Sequence, residues 1–541
     1  MTRFSDHHPY PSSREPVYAR NCVATSQPLA AQAGLEMLKQ GGNAYDAAIA
    51  AAICLTVVEP TSNGIGADAF AISWAGGGLH GLNASGKSPA LLTKSEITSR
   101  FAGKDKVPFH GWDGVTTPGA VSAWVALATE HGTLPMTTLA GPAIRYARDG
   151  FLLSPQTAYY WNRGARSYPK TGHFRAWHDT FAPDGHAPKT GDLVRLPDHA
   201  DTLQSIAETN GRSFYEGELA EKIDAAARAQ SGLLRKQDLA DHQPENVRTV
   251  SMEYQGLTLH EIPPNGQGIT ACIALGILKN FDLSRFEPDS PECLHLQIEA
   301  MKLAFRDAHR FIADPAFMDT TNDAMLDPGY LESRARLIDP TKATDFKHGL
   351  PKLGGTVYLT AADNQGNMVS YIQSNYTGFG SGIVVPGTGI GLQNRGCCFT
   401  LEEGHPNLIG PSKRPYHTII PGFVTRTGPD GNDIPVMSFG VMGGYMQPQG
   451  HAQVLVRIAD FNQNPQAALD APRWRIDDGL VVNIEPGFDE SLYATLENMG
   501  HALVRAPART VAHGRGQIIY RLEDGYLAAS DQRSDGQAVG F

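Results

Sequence analysis

The sequence lacks the patterns that mark several common classes of enzyme. It has no G-x-S-x-G motif, the turn that carries the nucleophile of serine α/β-hydrolases. Its six cysteines include no C-x-x-C pair, and the adjacent Cys397 and Cys398 are poorly placed to bond each other, which favours a reducing compartment. His405, His417 and His451 are scattered, with no partner at a metal-ligand spacing. We therefore predict neither a metal site nor a cofactor.

Basic charge, long apolar runs and linkers are also missing. Asp and Glu outnumber Lys and Arg by 56 to 45, which argues against a nucleic-acid partner. The most apolar segment, residues 44–58, is too short to span a membrane and indicates a buried helix. The first nine residues have no apolar core and do not form a secretory signal, so we expect a cytoplasmic protein. Without linkers or repeats, the 541 residues are expected to form one intertwined unit.

The chain changes character along its length, from a helix-rich first part to a strand-rich second part. Helices are predicted at 26–39, 44–58, 120–130, 138–148, 200–209, 217–230, 293–312 and 449–461. Strands are predicted at 69–74, 79–83, 355–363, 368–374, 434–439, 481–484 and 517–521, and a loop at 314–352. A G-x-G-x-x-G pattern at 76–81 lies between strands rather than before a helix, so we interpret it as a hairpin turn. The distribution predicts an α+β fold with two sheets, covered by helices on both outer faces.

One stretch indicates a specific chemistry. Two glycines precede Thr356, the first side chain of a strand that ends in the turn-forming residues 364–367. If the chain cleaves itself between Gly355 and Thr356, the hydroxyl of Thr356 gains its own α-amine as a neighbouring base. A terminal amine has a pKa near ~8 and accepts a proton at neutral pH. The alternative is that these residues are only a turn entering a strand.

Further motifs in the chain make the sequence resemble the γ-glutamyltransferase family of N-terminal-nucleophile hydrolases. The motifs are Gly355-Thr356, DNQGN at 363–367, FGSGI at 379–383, GPSKRP at 410–415, Gly443-Gly444, APR at 471–473, GGNAYDA at 41–47, EPTSNGIG at 59–66 and PGAV at 118–121. The resemblance implies a four-layer αββα sandwich. It also implies cleavage into a large subunit, residues 1–355, and a small subunit, residues 356–541, which stay associated in one intertwined fold.

The resemblance also implies roles for residues around Thr356. Gly443 and Gly444 lie between a strand and a helix, where backbone N–H groups can hold an oxyanion, although a plain tight turn has the same pattern. Ser374 takes the position of a hydroxyl that bonds the nucleophile. His417 and Thr418 take the position of two serines beside the donor, although a lone histidine is as often an ordinary polar residue. Tyr376 is assigned to the same substrate pocket.

Three positions depart from the glutamyl-specific members. Ser85 takes the position of the arginine that binds the donor's α-carboxylate, and Arg395 and Cys398 lie where an acidic residue meets its α-amine. The positive charge of Arg395 at this position repels the α-amine of a glutamyl donor. We therefore predict hydrolysis of a small acidic amide through an acyl-Thr356 intermediate, with the acyl carboxylate held by Arg395. Oxamate, glutaryl amides and γ-glutamyl amides are the candidate substrates, and transfer to an acceptor is a further alternative.

A hypothesis of another class is a non-catalytic relative that is never cleaved and serves as a binding or assembly protein. The two hypotheses differ in the fate of the bond between Gly355 and Thr356, which either breaks or stays whole.

Overall fold

The structure, a computed structural model, describes residues 13–346, 355–507, 510 and 512–541. Gly354 of the predicted cleavage segment, residues 347–352 of the predicted loop and the first nine residues lie outside the described residues. In the described ranges the strands are β1 (Val17–Ala19), β2 (Cys22–Thr25), β3 (Asp68–Ala75), β4 (Gly78–Asn83), β5 (Phe151–Leu152), β6 (Leu193–Val194), β7 (Glu245–Val247), β8 (Val250–Tyr254), β9 (Leu257–Glu261), β10 (Gly355–Ala362), β11 (Met368–Tyr376), β12 (Gly422–Thr427), β13 (Asp433–Met442), β14 (Trp474–Asp478), β15 (Val481–Ile484), β16 (Ala502–Arg505), β17 (Arg515–Arg521), β18 (Tyr526–Ser530) and β19 (Gln537–Gly540). The helices are α1 (Pro28–Lys39), α2 (Ala44–Val58), α3 (Lys94–Arg100), α4 (Ala120–His131), α5 (Met136–Asp149), α6 (Pro155–Ser167), α7 (Arg175–Phe181), α8 (Pro197–Glu208), α9 (Arg212–Tyr215), α10 (Glu218–Ala229), α11 (Lys236–Ala240), α12 (Ile269–Leu278), α13 (Pro291–Phe311), α14 (Asn322–Met325), α15 (Pro328–Ala335), α16 (Met446–Ala459), α17 (Pro465–Asp470) and α18 (Glu490–Asn498).

Two seven-stranded sheets form the centre of the molecule. Their strand orders are β1-β18-β17-β13-β12-β9-β8 and β19-β2-β10-β11-β3-β4-β7. An apolar layer that includes Phe70, Ile372, Phe423 and Ile519 joins their facing surfaces. Strand β10, which begins at the predicted cleavage site, lies between β2 and β11 in the second sheet. The nucleophile candidate is therefore at one end of a central strand.

Helices cover the outer face of each sheet. Helices α1, α2, α4, α5 and α8 pack in one apolar core with residues of β10 and β11, and α12, α13, α16 and α18 pack in another with residues of β12 and β13. Every residue of α2 is buried, as its nearly all apolar sequence predicts, and Asn43 and Asp46 form a capping box at its start. The layers are helix, sheet, sheet, helix, which confirms the predicted αββα sandwich.

Local predictions agree with the structure except in one segment. The glycine-rich residues 76–81 lie in the β3–β4 hairpin, with positive φ at Gly76 and Gly77. The prediction of a loop over 314–352 is wrong in part, because α14 and α15 lie within it. Thr321 and Asp327 cap these helices, and Pro328 opens the second. In the described parts of the chain, each helix is too short or too polar to cross a lipid bilayer.

Candidate active site

A row of polar side chains crosses three adjacent strands at one end of the second sheet. A bulge between Gly355 and Val357 sets Thr356 against Ser374, and the Thr356 hydroxyl donates a hydrogen bond to Ser374 Oγ at 3.2 Å. Ser374 is in turn the register partner of Asp68 on β3. Residues directly opposite in neighbouring strands present their side chains on the same face. The register therefore continues the row from Thr356 through Ser374 to Asp68, and all three residues are buried.

Two side chains from distant parts of the sequence contact Thr356. Arg515 donates to the Thr356 carbonyl oxygen at 3.1 Å and forms an ion pair with Glu59 at 2.9 Å. Ser26 donates to the other oxygen of Glu59 at 2.6 Å. Gln447, on the first turn of α16, approaches the Thr356 hydroxyl to 3.5 Å. Arg515, at the start of β17, thus holds the backbone of Thr356, and Gln447, on α16, approaches its side chain.

The Gly443-Gly444 pair joins β13 to α16, as the sequence predicts. Both glycines have positive φ, 144° and 63°, which disfavours any residue with a side chain. Gln267 donates to the Gly444 carbonyl at 2.9 Å and to the Thr418 carbonyl at 2.5 Å, which holds the turn against the 417–418 segment. The N–H of Gln447 donates to the Gly444 carbonyl at 3.2 Å, so the residue whose side chain approaches Thr356 is anchored to the glycine turn.

Arg395 is buried among the predicted substrate residues. One Nη donates to Thr418 Oγ1 at 2.7 Å, and the guanidinium lies 4.7 Å from the centre of the Tyr376 ring. In the described parts of the chain, its Nε and its other Nη lack a partner at hydrogen-bond geometry, and the thiol of Cys398 is a polar group beside the guanidinium. A buried cation with unused donors is costly unless an anion completes it. Cys398 lies beside both Arg395 and Tyr376, and burial raises the pKa of its thiol, opposed by the charge of Arg395.

Asp68 is a member of the site that the sequence analysis missed. Its carboxylate accepts hydrogen bonds from the backbone N–H of Gly119 at 3.1 Å and from that of Gly86 at 3.4 Å, and lies 3.2 Å from His417 Nε2. Burial raises the pKa of Asp68 to about 7, while Arg395 and these backbone bonds oppose that rise. Burial lowers the pKa of His417 well below its usual value, so His417 is a neutral donor to Asp68. The available signal was an acidic residue at the head of a mostly apolar strand.

Ser85 lies at the edge of the same region but is occupied by other contacts. Its hydroxyl donates to Asn83 Oδ1 at 2.7 Å and accepts from Asn265 at 3.2 Å. Its carbonyl accepts from Arg414 at 2.9 Å. The residue that follows, Gly86, contacts Asp68. The predicted residues therefore form two linked groups. The first group is Thr356, Ser374 and the glycine pair, and the second is Arg395, Tyr376, Cys398 and Thr418. His417 and Ser85 lie at the border, next to Asp68.

A cavity of about 630 Å³ opens beside these groups. Cys397, Cys398, Tyr416 and Tyr445 line it, together with Phe109. Tyr445 directly follows the glycine pair, and Cys398 contacts Arg395 and Tyr376. The cavity thus shares walls with the candidate site.

A cluster of His295, Glu299 and His501 is the one group in the described residues with ligand atoms close enough to hold a metal ion. It was not predicted from the sequence. His295 Nδ1 lies 2.8 Å from His501 Nε2, and Glu299 bonds Lys302 at 2.7 Å and the N–H of Thr344 at 2.9 Å. Lys302 already supplies the positive charge that pairs with Glu299. We therefore interpret the cluster as a buried ion pair beside two histidines rather than as a metal site.

The αββα sandwich is the fold of the N-terminal-nucleophile hydrolases. Residues 30–541 match the Gamma-glutamyltranspeptidase family, and the chain belongs to that family and is an enzyme of it. It is 48% identical to the cephalosporin acylase from Bacillus halodurans, with a TM-score of 0.94 over 100% of this chain and 99% of that one. It is 34% identical to the oxamate amidohydrolase proenzyme of Klebsiella pneumoniae, over 95% of this chain and 97% of the relative. It is 33% identical to the glutathione hydrolase-like YwrD proenzyme of Bacillus subtilis, over 96% and 98%.

Proposed function

We propose that Thr356 is the nucleophile of a self-processing amidohydrolase. The hydrogen bond between the Thr356 hydroxyl and Ser374, at the head of β10, carries this proposal. Cleavage after Gly355 frees the α-amine of Thr356, which takes the hydroxyl proton as the oxygen attacks the substrate's amide carbon. Backbone N–H groups of the Gly443-Gly444 turn stabilise the oxyanion. The C–N bond then breaks, the amine leaves with the proton, and water hydrolyses the acyl ester, releasing an acid.

We further propose that the acyl group carries a carboxylate that binds Arg395. The two unused N–H donors of this buried guanidinium support the assignment, since they match a bidentate carboxylate. Tyr376 supports the guanidinium from one face and Thr418 orients one Nη. Cys398, His417 and Ser85 complete the pocket. An acidic amide is therefore the proposed substrate class.

The oxamyl, glutaryl and γ-glutamyl groups all remain candidates for the acyl group. The relatives do not decide between them, because they are named for different substrates: oxamate, cephalosporin and glutathione. The test is a panel of oxamyl, glutaryl and γ-glutamyl amides, with a pentanoyl amide as the neutral match for glutaryl, scored for release of ammonia or amine. We expect turnover of at least one acidic amide and little of the neutral one. No release from any acidic amide by cleaved protein would contradict the proposed function.

The mature protein is proposed to be two associated fragments in the cytoplasm. Glu59 of the first fragment and Arg515 of the second form a buried ion pair, which supports association after cleavage. All six cysteines are free, in accord with a reducing compartment.

Asp68 leads to a pH-dependent prediction. Below pH 7 it is mostly neutral, and above pH 7 it becomes a carboxylate near Arg395, because burial raises its pKa to about 7. This negative charge repels an anionic acyl group, so KM for the preferred acidic amide should rise from pH 6 to pH 8, by roughly fivefold for about 1 kcal/mol of repulsion. The measurement is KM against pH, expressed relative to a neutral amide, which removes effects of the Thr356 amine. Asp68→Asn should flatten this ratio, and a variant with the same pH dependence would contradict the role of Asp68.

A further inference from the structure

A glutamine on α16 contacts the proposed nucleophile but takes no part in the reaction steps proposed above. Gln447 is fully buried, and its Nε2 approaches the hydroxyl oxygen of Thr356, Oγ1, to 3.5 Å. Its Oε1 accepts a hydrogen bond from the backbone N–H of Ile420 at 2.8 Å. Because a backbone N–H only donates, this bond fixes which end of the carboxamide faces the nucleophile, and that end carries the N–H donors. A donor of fixed orientation therefore points at the reacting oxygen.

The position of Gln447 is held from two sides. It is the second residue of α16, and its backbone N–H bonds the Gly444 carbonyl, which also accepts from Gln267 at 2.9 Å. Its side chain is held by Ile420 from the other side. Within the described residues, Thr356 Oγ1 is the only hydrogen-bond partner of Nε2. A donor anchored in this way needs little reorganisation when charge develops next to it.

The length of the contact suits a role in the transition state. A separation of 3.5 Å is long for a hydrogen bond between neutral groups, so it stabilises the resting hydroxyl little. Once the oxygen carries negative charge, the same donor forms a charge-assisted bond, which is shorter and roughly twice as strong. An interaction that gains strength only in the transition state raises kcat.

Negative charge reaches Oγ1 chiefly in the second half of the reaction. In the first half Oγ1 attacks the amide carbon, its proton passes to the α-amine, and the bond that finally breaks is the C–N bond. In the second half water attacks the acyl ester and gives a proton to the α-amine. Collapse of the tetrahedral intermediate then breaks the C–O bond, the electron pair of that bond goes to Oγ1, and the α-amine returns the proton to it.

We propose that Gln447 is a further catalytic residue, which stabilises Oγ1 of Thr356 as this oxygen leaves the acyl group. The inference rests on the proposed function and adds to it the residue that assists deacylation. Nε2 donates to the departing oxygen, while the Gly443-Gly444 turn holds the former carbonyl oxygen. The two atoms that carry negative charge therefore have separate donors.

The test uses the 4-nitrophenyl ester of the acyl group that the substrate panel identifies, because acylation by an activated ester is fast and deacylation then limits the steady rate. Gln447→Met keeps the length of the side chain and removes the donor. We expect it to lower the steady rate by about tenfold to a hundredfold, since one donor to the charged oxygen is lost. The acyl-enzyme should accumulate, visible as the added acyl mass on the fragment 356–541. Thr356→Ala provides the background release of nitrophenol.

The outcomes separate this inference from the proposed function. A steady rate equal to that of the wild type, or a lower rate without accumulated acyl-enzyme, would overturn the role of Gln447. No release by the wild type above the Thr356→Ala background is instead a failure of the proposed function. If Gln447→Met stays uncleaved, hydroxylamine, which cleaves esters, should release its two fragments, because an ester of Gly355 with Oγ1 has formed and cannot be hydrolysed. An uncleaved variant that hydroxylamine leaves whole would also overturn the inference.

Gln447→Glu supplies a pH signature that a purely structural role would not give. Glutamate keeps an oxygen for the Ile420 N–H and places its second oxygen where Nε2 lies. The protonated acid donates to Oγ1, whereas the carboxylate repels the charged oxygen, and burial raises the pKa of such a carboxyl. The steady rate relative to the wild type should therefore rise about tenfold from pH ~8 to pH ~5, while the ratio for Gln447→Met stays flat. A Gln447→Glu ratio as low as that of Gln447→Met at every pH would contradict the assignment.

Discussion

Replacement of Thr356 by alanine is expected to leave the chain as one band of 541 residues and to abolish amide hydrolysis. Alanine has no hydroxyl, so nothing attacks the carbonyl of Gly355 and no acyl-enzyme can form. Loss of a nucleophile in comparable enzymes lowers kcat by about 10⁴-fold to 10⁶-fold. The measurement is a denaturing gel over long incubation, with amino-terminal sequencing of any fragment, followed by assay of the purified protein.

Thr356→Ser is the matched control, because serine keeps a hydroxyl at the same distance from Ser374. It should still produce fragments of residues 1–355 and 356–541, with slower cleavage and reduced turnover. The loss of the methyl group, which limits side-chain rotation in threonine, explains the slower reaction. Amide hydrolysis at the wild-type rate by Thr356→Ala would contradict the nucleophile assignment. A wild-type chain that stays whole yet remains active would contradict self-processing.

The parts of the site that the sequence analysis predicted are those encoded in short segments. Two glycines before Thr356, and the strand–glycine–helix order around Gly443, indicate their local structure without knowledge of the rest of the fold. Helix α2 was predicted with its observed bounds because its 15 residues are nearly all apolar, and the structure adds the Asn43 cap at its start. Local patterns of this kind do not depend on which strands are neighbours.

The missed residues depend on strand order and register. Asp68 joins the site only because β3 pairs with β11 so that Asp68 faces Ser374. Arg515 and Glu59, which hold the Thr356 backbone, lie 456 positions apart in the chain. Neither register nor such a pairing can be derived from one sequence, because a shift of one residue turns every side chain of a strand to the opposite face.

Replacement of Arg395 by leucine is expected to remove the enzyme's preference for an acidic acyl group. A substrate carboxylate bound by a buried guanidinium contributes about 3 kcal/mol, so kcat/KM for the preferred acidic amide should fall roughly 150-fold. The neutral pentanoyl amide makes no ion pair, and its kcat/KM should change little. The ratio of the two values, acidic to neutral, is the quantity to measure, because it cancels effects on the nucleophile.

Arg395→Lys provides the matched control, since it keeps the charge but not the planar pair of donors. Lysine should restore part of the preference, because it attracts the carboxylate as a point charge and cannot bond both oxygens in one plane. Cleavage at Thr356 reports whether each variant folds. This control is needed because a substitution at Arg395 changes a buried charge that lies near Asp68. An Arg395→Leu protein that is cleaved normally and keeps its KM for every acidic amide would show that another group binds the acyl carboxylate. In that case the two unused donors of Arg395 would need a different partner, because a buried guanidinium with no anion is costly.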